Sequence, residues 1–475
     1  MGRATIKSGT INLLNTIIGA GILAMPYGLK CNGLLFGCCL IIWSSLTSSM
    51  GLYLQNKVAK YTDQRGAVSY FSLAQLTYPN LSILFDSAIS IKCFGVGVSY
   101  LVVIGDLMPK IMESINVKPD LILMARNFWI TVFMFVIVTP LSYLKKLDSL
   151  KYTSILALFS VVYLICLVIV HFFVNDVPVE DKVIDYFGPI SIKSTLSSFP
   201  IFVFAYTCHQ NMFAIINELK PSDKDGSQTR QSNLIIRNSI TTACLSYLVV
   251  GIFGYLTFGN SVNANIITMY PRNSISSLIG RLCIVLMVSL SFPLQCHPCR
   301  GSINHVMHFL THGVQSSKMR AVESTSNQGY TSLNSDIQSL QSIGESSTVQ
   351  DESFISTTPM EGAQDTDGHD PIIVPLTSKK FYIITTVIVV ASYLVAISVK
   401  SLAHVLAFVG STGSTSISFI LPGLFGYLLI KPLNGASELD TLEKFCKYGG
   451  LALSIWGVLV MIVCLSATIF LGATH

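Results

Sequence analysis

The chain has 475 residues, 51% of them hydrophobic and only 12% Asp, Glu, Lys or Arg, with a formal net charge of +5. Soluble domains carry roughly 25% charged residues, so this composition excludes an ordinary water-soluble enzyme and specifies an integral membrane protein. The basic residues form no cluster interleaved with aromatics, which excludes nucleic acid as a partner and leaves the lipid bilayer.

Eleven apolar runs are long enough to be membrane helices: 8–29, 33–55, 85–106, 127–144, 152–174, 194–217, 234–258, 276–299, 381–400, 402–430 and 448–471. The first is not an ordinary span. Ser8 to Leu29 carries no charge, but its centre reads Asn15-Thr16-Ile17-Ile18-Gly19-Ala20-Gly21-Ile22 and Pro26 follows a turn later. Paired glycines and a proline weaken helical hydrogen bonding, and backbone groups freed at membrane depth persist only where they are buried in protein or line a wet cavity. A span that unwinds at its middle points to a transporter binding site.

The third run is the weakest, because Lys92 interrupts it and Asp86 and Asp106 mark its ends. Neither carboxylate is three or four residues from Lys92, so a partner on another helix is expected. Gly95-Val96-Gly97 lacks the strand and third glycine of a dinucleotide site and reads as a helix-packing feature. The sixth run is interrupted as well: Phe199-Pro200 opens it, and Phe204-Ala205-Tyr206-Thr207-Cys208-His209-Gln210-Asn211 sets a polar run near its centre.

In the eighth, Ser289 and Ser291 precede Pro293; their hydroxyls either complete an oxygen cage for a cation or bond back to their own helix. Cys296-His297-Pro298-Cys299 has metal spacing but no second pair, so no metal is expected. Gly410-Ser411-Thr412-Gly413-Ser414-Thr415-Ser416 in the tenth run permits tight helix contact, as a gate or as plain packing.

Between the eighth and ninth runs, residues 315–370 hold 18 Ser or Thr, nine Asp or Glu and two basic residues. Such a stretch buries too little apolar surface to offset chain entropy and is expected to be disordered, as a regulatory segment or a tolerated insertion. The chain thus divides into residues 1–312 with eight spans, a cytosolic acidic loop at 313–378, and 379–475 with three spans. The first apolar stretch is too long for a signal peptide. Most of the twelve cysteines fall within spans and are expected as thiols. With the N-terminus in the cytosol, 20 of the 30 basic residues lie on the inner side, as the positive-inside rule requires. The loop with Lys110, Lys118 and Arg126 is the exception. The single Asn-x-Ser/Thr site, at Asn80, then faces the cytosol and escapes glycosylation.

These features converge on one chemistry. The break after Gly21 offers N–H groups and a positive helix end to a carboxylate. Carbonyls from Asn15 to Ile18 offer acceptors to an ammonium. The pair would clamp a zwitterion, and an α-amino acid has that shape. His209, at the second break, is the candidate protonatable coupling group or else a structural histidine. Arg281 or Lys92 would favour acidic substrates if either lined the cavity. The spans lack paired in-membrane carboxylates and a nucleophile beside a base, so an enzyme is not expected.

Three stretches carry a family resemblance: Asn12-Leu13-Leu14-Asn15-Thr16-Ile17-Ile18-Gly19-Ala20-Gly21-Ile22-Leu23-Ala24-Met25-Pro26-Tyr27; Pro200-Ile201-Phe202-Val203-Phe204-Ala205-Tyr206-Thr207-Cys208-His209 with Asn217-Glu218-Leu219; and Arg281 with Pro293 and Pro298-Cys299-Arg300. They resemble the amino acid/auxin permease superfamily, and look most like its fungal vacuolar amino acid transporters. The resemblance implies an all-α membrane protein of eleven transmembrane helices, an inverted repeat of five plus five with broken first and sixth helices and one helix added. It implies substrate contacts at Thr16, Gly19, Ala20, Gly21 and Ile22, and at Phe204, Ala205, Tyr206 and Thr207. Ion coupling would fall to Asn15, Ile18, Ser289 and Ser291, matching where sodium-coupled relatives hold their ion, together with His209. The implied protein needs no cofactor beyond a coupling proton or sodium. It sits in the vacuolar membrane and exports amino acids to the cytosol with protons. The alternatives are a sodium-coupled neutral amino acid transporter and a non-transporting amino acid sensor.

Overall fold

The computed structural model describes residues 5–61, 68–144, 151–177, 182–219, 229–341, 376–432 and 439–472, and their regular structure is helical. Helix α1 (Ile6–Ile17) begins at Thr5, whose hydroxyl accepts the Ser8 N–H, and stops where Ile18 turns to extended backbone. A 3-10 turn over Ala20–Ala24 leads into α2 (Met25–Asn32). Pro26 sits in the first turn of α2, where its missing N–H forfeits no helical bond. The two arms meet at 47°, so the first span is broken as its glycines predict.

The chain continues through α3 (Leu34–Val58), α4 (Tyr70–Leu76) and the 33-residue α5 (Ser82–Ser114). Helices α6 (Arg126–Phe133) and α7 (Thr139–Ser142) join through a π turn at Met134–Val138. After α8 (Lys151–Val174), α9 (Ile192–Ala205) and α10 (His209–Glu218) are separated by three non-helical residues. Then come α11 (Thr229–Phe258), α12 (Ile275–Gln341) and α13 (Ser378–Ser398). Two successive π turns, Gly410–Ser414 and Ser416–Ile420, link α14 (Leu402–Val409) to α15 (Leu421–Leu429), and α16 (Thr441–Gly472) ends the chain.

Among the described residues nine helices are long and apolar enough to cross a membrane, ten when the bent first pair counts as one span. The fourth expected run, 127–144, corresponds to Arg126–Ser142, which is apolar but shorter. The part of α12 of membrane length is Ile275–Thr311. Residues 342–375, the second half of the Ser/Thr-rich stretch, lie outside the described residues, so the expectation of disorder there has no structural counterpart.

Burial sorts the helices into layers. The apolar window of α5 is 83% buried and that of Ile192–Glu218 is 94% buried, against 28% for α16. The third and sixth spans therefore form the centre, and the last faces outward with Phe445, Tyr448, Ile455 and Phe470 exposed. All twelve cysteines are free, as expected of thiols in an apolar interior.

The basic loop that broke the positive-inside pattern is largely neutralised. Glu113 takes Lys110 at 3.1 Å and Arg272 at 3.3 Å, and Asp106 takes Arg126 at 3.4 Å.

Candidate functional site

The two interruptions meet at the centre of the bundle. Gly21 faces the second break so closely that a Cβ there would lie 2.8 Å from the Cβ of Ala205 and 3.0 Å from its Cα. No residue other than glycine fits without parting the helices. Tyr247, on α11 and fully buried, donates its hydroxyl at 2.8 Å to the carbonyl of Ile17 and lies equally close, at 2.8 Å, to that of Ala205. One phenol thus serves the last carbonyl of each interrupted helix. A second tie runs from the Asn211 amide to the Thr16 hydroxyl at 3.0 Å, and Thr16 in turn donates to Asn12 O at 2.9 Å.

Between the breaks lies a cleft lined by Thr16, Ile17, Gly19, Ala20, Gly21, Lys92, Val96, Tyr100, Phe204, Thr207 and Gln295. Six of the nine expected substrate contacts line it: Thr16, Gly19, Ala20, Gly21, Phe204 and Thr207. Ile22, Ala205 and Tyr206 lie directly behind and do not line it. Ile22 donates to Gly19 O at 3.3 Å, and Tyr206 O accepts the Ser48 hydroxyl at 3.1 Å. The first turn of the 3-10 segment at Ala20 and Gly21 presents N–H groups that have no acceptor within their own helix.

The cleft holds only ≈ 10 Å³, the room of about one water. An amino acid therefore enters only when helices part, and this conformation is closed over the site. A far larger cavity of ≈ 640 Å³ forms where α2 ends and α9 and α14 begin, the end of the bundle opposite Ile6, and it is lined in part by Tyr27, Lys30, Lys193, Ser198 and His404.

The expected coupling residues are placed differently. Ser289 is buried and donates to Val285 O of its own helix at 2.6 Å, so it back-bonds. Ser291, Asn15 and Ile18 do not line the cleft; the Ile18 N–H closes the last turn of α1 on Leu14 O at 2.9 Å. His209 is fully buried with Nε2 3.1 Å from Ser48 O and fastens α10 to α3. Arg281 is also remote, held by Ser114 Oγ at 2.9 Å, Tyr270 O at 2.6 Å and Ile267 O at 3.3 Å. Lys92 alone of the conjectured basic residues lines the cleft.

Sequence reasoning missed Tyr247, Tyr100, Asn211 as a bridging group, and Gln295. Tyr100 reaches across from α5, its hydroxyl 3.3 Å from where a Cβ of Gly19 would stand. Gln295 is 92% buried with its Oε1 unpartnered. A polar amide two residues after Pro293 in an uncharged run was the available signal. Among the described residues no three His, Cys, Asp or Glu side chains cluster to hold a metal.

Interrupted helices closing on a central cleft in an all-helical bundle define a membrane transporter. The chain belongs to the transmembrane amino acid transporter protein family, whose model matches residues 2–463, which is the amino acid/auxin permease membership its motifs announce. It is similar to vacuolar amino acid transporter 6 of Saccharomyces cerevisiae, at 45% identity over 99% of this chain and 100% of the relative. It is also similar to vacuolar amino acid transporter 5 of Schizosaccharomyces pombe, at 37% over 99% and 95%. A putative sodium-coupled neutral amino acid transporter 8 of Xenopus tropicalis is 27% identical over 62% of this chain and 70% of its own length. These relatives are transporters and not enzymes.

Proposed function

We propose that the chain is a secondary active amino acid transporter of the vacuolar membrane, moving amino acids from the lumen to the cytosol with protons. The observation that carries this reading is the closure of two interrupted helices on one cleft, which Gly19, Ala20 and Gly21 line at the start of the second half of the first span. Full-length relatives named as vacuolar amino acid transporters support the substrate and the membrane. In this reading the carboxylate of the amino acid takes the Ala20 and Gly21 N–H groups. Phe204 and Thr207 bound its other side, and Thr16 is poised by Asn211. The eleven apolar segments form two inverted five-helix halves plus one, and the N-terminus is cytosolic, in keeping with 20 of 30 basic residues on that side. The large cavity then opens to the lumen.

The relative named as sodium-coupled supports a second reading in which sodium replaces the proton. Uptake and efflux of labelled amino acids in vesicles bearing the full chain, under an imposed pH or sodium gradient, tests both. Flux driven by acid on the lumenal side is the expected result. Flux that follows sodium and ignores pH selects the second reading, and no amino acid flux under either gradient overturns transport itself.

A further inference from the structure

Gln295 lines the cleft from the eighth span, is 8% exposed, and has an Oε1 without a hydrogen-bond partner. Three other polar side chains of the cleft are engaged. Thr16 donates to Asn12 O and accepts from Asn211, Thr207 donates to Val203 O and accepts from Ser418, and Lys92 has an interaction of its own. Among the described residues lining the cleft, Gln295 alone buries a side-chain oxygen or nitrogen that nothing satisfies. Buried polar groups are nearly always paired, so an exception that faces a binding cleft calls for a ligand atom to complete it.

The turn of α12 that carries the amide is held in place. On one side of it Phe292 packs on α5, where a Cβ at Gly97 would come within 2.9 Å of the ring. On the other, the Cys299 thiol donates to Ser90 O at 3.5 Å. A group positioned on packed helices in this way is fit to discriminate between ligands.

What it discriminates follows from the rest of the lining. In the transport reading the substrate carboxylate sits on backbone N–H groups of the first break, a contact that reads nothing of the side chain. Phe204 and Thr207 bound the opposite side, which leaves the wall made by Lys92, Val96 and Tyr100 of α5 and Gln295 of α12 to face the part that varies between amino acids. A primary amide presents a C=O and an NH2 side by side, and a second planar amide satisfies both at once. An aliphatic side chain of the same shape leaves them unpaired when the cleft closes, and unpaired polar groups reject a ligand far more strongly than a misfit of one methylene does.

Resting on the transport reading above, we propose that Gln295 is the residue that reads the substrate's side chain, and that the cleft selects amino acids ending in a carboxamide over aliphatic ones of the same shape.

Asparagine and leucine make the test, because their side chains share a branched outline and differ in hydrogen bonding. Uptake of each, labelled, is measured in proteoliposomes bearing the full chain, wild type against Gln295→Met and Gln295→Asn. Wild type is expected to favour asparagine by about tenfold in kcat/KM, as one or two net hydrogen bonds give. Gln295→Met, of similar length and without the amide, is expected to abolish that preference while leucine uptake holds. Gln295→Asn draws the amide back by one methylene, so its preference is expected to pass from asparagine to the longer glutamine. A purely structural amide produces no such compensation in length. Equal handling of asparagine and leucine by the wild type overturns the proposal, as does a Gln295→Met variant that keeps the wild-type ratio, or the loss of both uptakes alike in the two variants. Should Gln295→Met not purify as a single species, the ratio of asparagine to glutamine in Gln295→Asn decides, and an unchanged ratio overturns the assignment. A wild type that carries other amino acids but not asparagine overturns it too, whereas one that moves no amino acid at all fails the transport reading instead.

Discussion

The break in the first span turns the chain by 47°, whereas the break between α9 and α10 leaves Ile192–Glu218 as a single crossing of 27 residues. The causes differ in kind. At the first, small residues remove side chains, so the backbone itself bends and is buried from Ile17 through Leu29 with little interruption. At the second, polar side chains hold the gap open: Thr207 bonds back to Val203 O at 2.7 Å, Ser418 donates to Thr207 at 3.2 Å, and Ser48 bridges Tyr206 O. The comparison teaches that the first break is held by close backbone packing, Gly21 against Ala205, and by ties to Tyr247 and Asn211, whereas the second is pinned by side chains of α3 and the tenth span.

The largest effect that would break this contrast is expected at their point of contact. Gly21→Val places a branched side chain where a Cβ already lies 2.8 Å from Ala205. Overpacking of this order costs about 1–3 kcal/mol, and spent against closure it lowers flux by roughly five- to 150-fold. Uptake into proteoliposomes, with monodispersity as the folding control, is the measurement. Wild-type flux would show that the breaks need not touch for transport.

Next comes the shared phenol. Tyr247→Phe removes the one hydroxyl proton that Ile17 O and Ala205 O share in a buried site, at a cost of about 1–3 kcal/mol for the acceptor left unsatisfied. A lower melting temperature of the purified protein and a several-fold fall in flux are expected, with Tyr247→Trp no better because the hydroxyl position is lost. An unchanged melting temperature would mean that the carbonyls find other donors, and the bridge would then be no part of the closed state.

The sequence showed one side of this interface and hid the other. Gly19, Gly21, Pro26 and the run Thr207 to Asn211 disobey the needs of a lipid-facing helix, and such local rule-breaking is legible without a partner. Tyr247 breaks no rule: one tyrosine among apolar neighbours on α11 looks like any interfacial aromatic. Its role exists only because α11 passes both breaks, a fact of tertiary packing. The same holds for Tyr100 and Gln295. Lys92 was visible as an anomaly, but the face it turns inward depended on where Gly413 lets the tenth span approach. His209 was legible only as an alternative, proton coupling or structure, and the structure adds its bond to Ser48 O on α3. In the fourth run, whose composition reads as continuous, the structure places a π turn at Met134–Val138 and ends the helix at Ser142, which composition does not show.

The smallest effect sharpens the contrast best, because it asks whether the two interrupted spans are coupled through one hydrogen bond. Asn211 donates to Thr16 at 3.0 Å, but Thr16 also back-bonds to Asn12 O at 2.9 Å. Thr16→Val removes both bonds, and Asn211→Ala removes only the bridge. If the bridge forms in the substrate-bound closed state, the two changes overlap, and a double-mutant cycle on amino acid affinity shows a coupling of about 0.5–1.5 kcal/mol, the net worth of one bond. Additivity within about 0.3–0.5 kcal/mol is what independent sites give. That result would detach Thr16 from the sixth span and leave the Gly21 contact and Tyr247 as the whole of the closure. A coupling present in affinity but absent from thermal unfolding would instead assign the bond to the bound state alone.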